Sequence, residues 1–190
     1  MTQIDAINRM LRYIGELPIP STVAIDDLPE GHEAVQASTI LQETLREEQE
    51  EKWWFNSFTE TLIPQTSGYI TLPYNLIKFD SNKGQYRSEG GDLYDVTNQT
   101  KIFTDPVELD VLLNIEFDDL PDVFRTYVVL QAAKHLHTYL NADETTQKEL
   151  IQKIQVQRIK VERENLKQSK FNLVKGSRLI NRNTNPTSIA

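Results

Sequence analysis

The chain has 190 residues, 38% hydrophobic and 25% charged, with a net charge of −8 at neutral pH. A globular chain of this length buries roughly 70% of the surface its unfolded form exposes, so a core can form without staples. It has no cysteine and three histidines, His32, His135 and His137, which excludes a disulfide framework, a thiol nucleophile and cysteine-based metal sites.

Residues 3–14 read as a helix, because Ile4, Ile7, Leu11 and Ile14 recur at helical spacing. Thr2 suits the N-cap, Asp5 the first turn and Gly15 the left-handed stop. The opening MTQIDAINRM lacks the basic and apolar regions of a signal peptide, and no apolar run approaches the ~20 residues needed to span a bilayer. The expectation is a chain made in a cytoplasm and engaging no membrane. Pro18, Pro20 and Pro29 stiffen a connector. A second helix is expected from about Glu30 to Trp54, with Ala34, Ala37, Leu41 and Leu45 as its apolar stripe and Glu47, Glu48, Glu50 and Glu51 crowding its end. Trp53-Trp54-Phe55 reads as an aromatic plug between a helical and a β part.

From Phe58 to Asn114 the period shortens. Phe58, Glu60 and Leu62 alternate with Thr59, Thr61 and Ile63, and further short strands are expected at 69–72, 85–88, 92–96, 101–103 and 111–115. Residues 118–140 read as the central, most buried helix, with Pro121 in its first turn and Val123, Phe124, Tyr127, Val128, Leu130 and Leu136 among its apolar residues. Asp143 suits the cap of a fourth helix whose apolar face is Leu150, Ile151, Ile154, Val161 and Leu166. After Ser169, Asn, Ser, Thr, Gly and Pro dominate, which predicts an extended tail with no core of its own. The fold class is therefore α+β: an antiparallel helical bundle (1–56 and 118–168) with an inserted β-rich subdomain (57–117) and an extended C-terminal tail (169–190).

Charge divides the chain. Residues 1–143 carry 10 Lys/Arg against 24 Asp/Glu, whereas residues 144–190 carry 10 against 4. An acidic body with a basic end points to an acidic protein partner or to nucleic acid. The usual motifs of nucleophilic hydrolases, dinucleotide sites and phosphate loops are absent from the sequence. His135 and His137 lie about 200° apart around a helix, so they do not share a metal; one is expected to pack in the bundle and the other to face the surface. Asp118, Asp119 and Asp122 suit the capping of a helix start. Together with Asp26–Asp27 and the Glu47–Glu51 run they are also the carboxylate pairs for the alternative reading, a carbohydrate or cell-wall hydrolase using an Asp/Glu pair. A third reading, nucleic-acid binding by residues 167–182, lacks stacking aromatics apart from Phe171.

Several elements together resemble a known family. They are Ile14-Gly15-Glu16 after the first helix, Trp53-Trp54-Phe55-Asn56, and Tyr69-Ile70-Thr71-Leu72-Pro73 followed by Ile77 and Phe79-Asp80. Gly90-Gly91-Asp92-Leu93-Tyr94-Asp95, with Thr97 and Thr100, and Asp119-Leu120-Pro121-Asp122-Val123-Phe124-Arg125 complete the set. Over about residues 4–160 the chain resembles the tail tubular protein A family of short-tailed bacteriophages, the head-to-tail adaptors below the portal. Lys52 stands where family members often have Gly before the first Trp, which leaves the end of the second helix without a glycine stop.

The resemblance implies a structural virion protein of the tail and neck, not an enzyme, with no cofactor. It implies a dodecameric ring under the portal, a nozzle protein like tail tubular protein B attached below, and double-stranded DNA passing without specific binding. On this reading Lys167, Lys170, Phe171, Lys175, Arg178, Leu179, Ile180 and Arg182 bind the portal. Glu47, Glu48, Glu50, Glu51, Asp118 and Asp119 are the candidate acids lining the DNA channel.

Overall fold

The computed structural model describes the backbone of residues 1–29, 31–140 and 143–182, and the side chains of these as far as Ser169. Its helices are α1 (Gln3–Tyr13), α2 (Glu33–Glu48), α3 (Asp122–Tyr139) and α4 (Glu144–Arg182). Between α2 and α3 lie β1 (Ser57–Leu62), β2 (Leu76–Asp80), β3 (Tyr86–Glu89), β4 (Asp92–Asp95) and β5 (Val107–Leu113). The α+β class is as expected.

The start of α1 obeys its sequence signals. Thr2 and Asp5 form a reciprocal capping box, with the Asp5 N–H donating to Thr2 Oγ1 at 3.2 Å and the Thr2 N–H to Asp5 Oδ2 at 2.9 Å. Gly15 takes φ +82° just past the helix, as a left-handed stop requires. Asp143 likewise caps α4, its Oδ1 accepting from the Thr146 N–H at 2.8 Å.

Helix α2 ends six residues before the expected Trp54. The stop is made by two buried polar side chains. Gln49 donates through Nε2 to Asn114 Oδ1 and to the Ile115 carbonyl, and its Oε1 accepts from the Ile115 N–H at 2.8 Å. Asn56 accepts from the Trp53 N–H at 2.9 Å and donates to the Gln49 carbonyl at 2.9 Å. These bonds satisfy the backbone of the turn, so the chain leaves the helix without a glycine.

α3 is the hub of the helical core. Phe124, Tyr127, Val128, Ala132 and Leu136 pack among Ile7 and Met10 of α1, Leu41 and Leu45 of α2, and Leu150 and Val161 of α4. Trp53 meets Phe124 edge-on at 5.3 Å between ring centroids, and Phe55 meets it at 4.7 Å. The aromatic triplet thus belongs to the helical core, and the joint to the sheet is carried instead by Gln49, Asn56 and the Leu113 N–H, which donates to the Asn56 carbonyl at 2.9 Å.

The larger sheet is antiparallel in the order β1-β5-β2, and β3 pairs with β4 as a separate hairpin. Leu62, Ile70, Leu72, Leu93, Val107, Leu109 and Val111 form a second core of their own. On β1 only Leu62 reaches that core, whereas Phe58 is exposed. Strand β2 was not expected, and the strands expected at 69–72 and 101–103 are not formed: residue 71 makes one bridge to Asp92, and residues 101–103 make none.

The expected extended tail is corrected in its first part. The backbone of α4 continues through residues 169–182 to Arg182. Residues 183–190 lie outside the described residues.

Candidate functional site: the α4 anchor and its basic extension

α4 spans 39 residues, about 58 Å at 1.5 Å per residue, more than twice the length of the 18-residue α3 against which it packs. Leu150 and Val161 on its inner face are fully buried, and Gln157 donates through Nε2 to the Val123 carbonyl at 2.8 Å, at the beginning of α3. Ile151 and Leu166, expected on that face, are exposed instead. The inner stripe turns through Leu150, Ile154, Gln157, Val161 and Asn165, which puts Leu166 on the other side.

One arginine ties this helix to the turn after α2. Arg158 donates through Nη2 to both Glu51 carboxylate oxygens at 3.1 and 2.8 Å, through Nη1 to the Tyr127 hydroxyl at 3.1 Å, and through Nε to Glu162 at 2.8 Å. Its guanidinium lies 5.3 Å from the Trp53 ring centroid, within cation–π range. Gln131 completes the cluster, its Nε2 donating to Glu48 Oε1 and to the Tyr127 hydroxyl, each at 3.0 Å. Burial pushes the Glu48 carboxyl above its usual range, against the lowering pull of Tyr127 and Arg158. Burial alone would lower the Arg158 pKa, and the bonds to Glu162, Tyr127 and Glu51 outweigh it, so the side chain stays charged. Seven residues further on, Asn165 Oδ1 accepts from the Trp54 N–H at 3.0 Å.

The six candidate channel acids separate into two groups. Glu48 is buried enough to leave its side chain only 16% exposed, and Glu51 is occupied by Arg158. Glu47, Glu50, Asp118 and Asp119 are exposed. Asp118 and Asp119 lie in a short 3-10 turn, Phe117–Asp119, and make no side-chain cap, contrary to expectation; α3 also starts without one. Arg125 gathers this corner, donating to Asp122 Oδ1 at 2.6 Å and to the carbonyls of Met1 and Asp118. Asp122 thus engages Arg125 at the start of α3, while Asp118 and Asp119 are exposed and make no side-chain bond among the described residues.

Of the eight candidate portal-binding residues, Lys167 is exposed and pairs with Glu164 at 3.5 Å. The backbone of Lys170, Phe171, Lys175, Arg178, Leu179, Ile180 and Arg182 continues α4, and their side chains lie outside the described residues. One histidine packs in the bundle as expected, and the other is not at the surface. His137 is 1% exposed, 3.7 Å from Asp143, and neither histidine faces solvent freely, since His135 is half-buried with Nδ1 3.2 Å from Thr44 Oγ1. Burial lowers the His135 pKa. Among the described residues no group of three His, Cys, Asp or Glu is placed to hold a metal, and no helix is long and apolar enough to cross a membrane.

Sequence reasoning missed Arg158, Asn165 and Gln49, and it took Asn56 only as part of the Trp53–Asn56 element, without its bonds. A signal for Arg158 was present, because it stands four residues after Ile154 and eight after Leu150, on the stripe that α4 buries. A charge on an apolar stripe needs partners, and Glu48 and Glu51 supply them.

The sequence profile of the family described as tail tubular protein matches residues 4–171 of this chain. Tail tubular protein A of Klebsiella phage KP34 is 31% identical over 124 residues, a match that covers 64% of this chain and 64% of that protein. The profile spans the helical core, both sheets and α4 as far as its described side chains, so the chain belongs to the tail tubular protein family, structural components of the bacteriophage virion tail.

Proposed function

We propose that this chain is the head-to-tail adaptor of a short-tailed phage, forming a twelve-membered ring that links the portal above to a nozzle protein below. On this reading the two helical stretches, 1–56 and 118–168, make one ring-forming body, and the β-rich insertion 57–117 projects from it. The chain has no catalytic role.

The observation that carries the reading is the form of α4 within a tail tubular protein. Its first half is locked into the body by Leu150, Gln157, Arg158, Val161 and Asn165. Its helical backbone then continues for 17 residues past Asn165 to Arg182, over a stretch that carries Lys167, Lys170, Lys175, Arg178 and Arg182 and no acid. A basic helical arm is suited to lie against an acidic portal surface.

The acidic body has a complementary role. Binding to DNA depends on cations that neutralise phosphates, so a wall of carboxylates lets a duplex slide past. With Glu48 and Glu51 engaged by the anchor, Glu47, Glu50, Asp118 and Asp119 are the acids left to face the lumen. The test is co-sedimentation with the portal protein of the same virus. The full chain is expected to bind, and a chain ending at Ser169 to lose binding. Equal binding by both would remove the portal role of the arm.

A further inference from the structure

α4 has a second apolar stripe that its own bundle leaves uncovered. Val156, Ile159 and Leu166 are 56%, 50% and 61% exposed, on the side away from buried Leu150 and Val161. With Arg163 they follow a 3-4-3 spacing, which aligns side chains along one seam of a helix. In the sequence the seven-residue spacing of Ile159 and Leu166 continues to Leu173 and Ile180. Exposed Lys160 and Lys167 flank the seam.

A receptive surface lies elsewhere on the same chain. Val35, Gln36, Thr39, Ile40, Glu43 and Tyr139 wall an open groove of about 310 Å³ between α2 and the end of α3. Tyr139 is 64% exposed there, beside partly buried Ile40. Gln36, Ile40, Glu43 and Glu47 follow a 4-3-4 spacing, so this face of α2 is also a helical seam, and it is acidic.

We infer that the Val156–Leu166 ridge of one copy docks into the α2/α3 groove of the next copy, and that this contact is the joint between neighbours in the ring. The inference rests on the ring reading. Three features select a second copy as the occupant. The ridge offers Val156, Ile159 and Leu166, and the groove Val35, Ile40 and Tyr139. The two carry opposite charge, Lys160 and Arg163 on the ridge against Glu43 and Glu47 on α2. A two-fold pairing of α4 with α4 would instead set these cations against one another. Because ridge and groove are different patches, the contact is head-to-tail and closes only by rotation, which is the geometry of a ring. The joint takes Glu47 out of the channel wall and leaves Glu50, Asp118 and Asp119 to it.

The absence of cysteine from the sequence makes the test direct. The full chain carrying both Ile159→Cys and Glu43→Cys is treated with a short bismaleimide and run under denaturing conditions. A ladder of dimer, trimer and higher species is expected. An equimolar mixture of the two single variants is expected to stop at dimer, and either single variant alone to stay monomeric. Dimer from Ile159→Cys alone would overturn the joint in favour of a two-fold contact. Rings in electron micrographs of a sample that gives no ladder would overturn the joint and leave the ring standing. Neither rings nor ladder would overturn both. As a second arm, Lys160→Glu with Arg163→Glu is expected to raise the concentration for half-assembly at least tenfold, and adding Glu43→Lys and Glu47→Lys to restore it. Failure of that restoration, with the melting temperature unchanged, counts against the joint.

Discussion

Arg158 and Trp53 hold together four parts of the molecule: the end of α2, the turn after it, α3 and α4. The Arg158 side chain is 32% exposed, so its pairs are weaker than fully buried ones. Arg158→Ala leaves Glu48 without its compensating charge and is expected to lower stability by about 1–3 kcal/mol in thermal or urea unfolding. Trp53→Ala also empties the contact with Phe124 and is expected to cost about 3–5 kcal/mol. A smaller loss for Trp53→Ala than for Arg158→Ala would mean that the charge cluster, not the aromatic packing, holds the turn. Two titrating groups act in opposite directions. Burial holds the His135 pKa down, so its contribution is full above the ordinary histidine value and is lost as pH falls toward the lowered one. Burial holds Glu48 up, so its carboxyl favours the fold increasingly as pH falls through its raised value. As pH falls below the ordinary histidine value, His135→Gln is expected to flatten the loss of stability, and as it falls on toward the ordinary carboxylate value, Glu48→Gln is expected to steepen it. Identical pH profiles for wild type and both variants would contradict the burial assigned to these side chains.

At the scale of elements, what could be read from the sequence was what local chemistry decides. The capping box of Thr2 and Asp5, the stop at Gly15 and the cap at Asp143 involve neighbours in sequence, and all three are seen. The end of α2 was not legible, because its stop comes from Gln49 reaching Asn114 and Ile115 across the chain. β2 was missed although Ile77, Lys78, Phe79 and Asp80 alternate apolar and polar, because the register shift between Leu76 and Lys78 leaves only four residues in step, too short a run to mark a strand. The course of α4 past Ser169 was misread from composition. Extending an existing helix pays no nucleation cost, and Leu173, Lys175, Arg178 and Leu179 are good helix formers, enough to carry the helix across Gly176. Among the site residues, the separation of Glu48 and Glu51 from the other acids needed the position of Arg158, which no run of neighbouring letters supplies. Since the last side-chain bond from α4 to another element, among the described residues, is that of Asn165, removal of everything after Ser169 is expected to shift the melting temperature of the body by less than 2 °C, on the order of the few tenths of a kcal/mol typical of surface changes. A larger drop would show that the arm packs on its own body.

At the scale of the whole molecule, the parts fit a protein that is gripped by neighbours. A helical core is anchored by a charged cluster, a separate β core is built from the chain that links α2 to α3, and a basic helix outruns the body that holds it. The cations are concentrated in the last quarter of the chain and the acids in the rest, which suits contacts between unlike surfaces of successive copies and of the portal. The most direct measurement is an electron-microscopy class average of the purified chain mixed with the portal protein of the same virus. The account predicts twelve copies in a closed ring on one end of the portal, with a helical arm from each lying on the portal surface. Portals without added density, or single copies bound without ring closure, would contradict it.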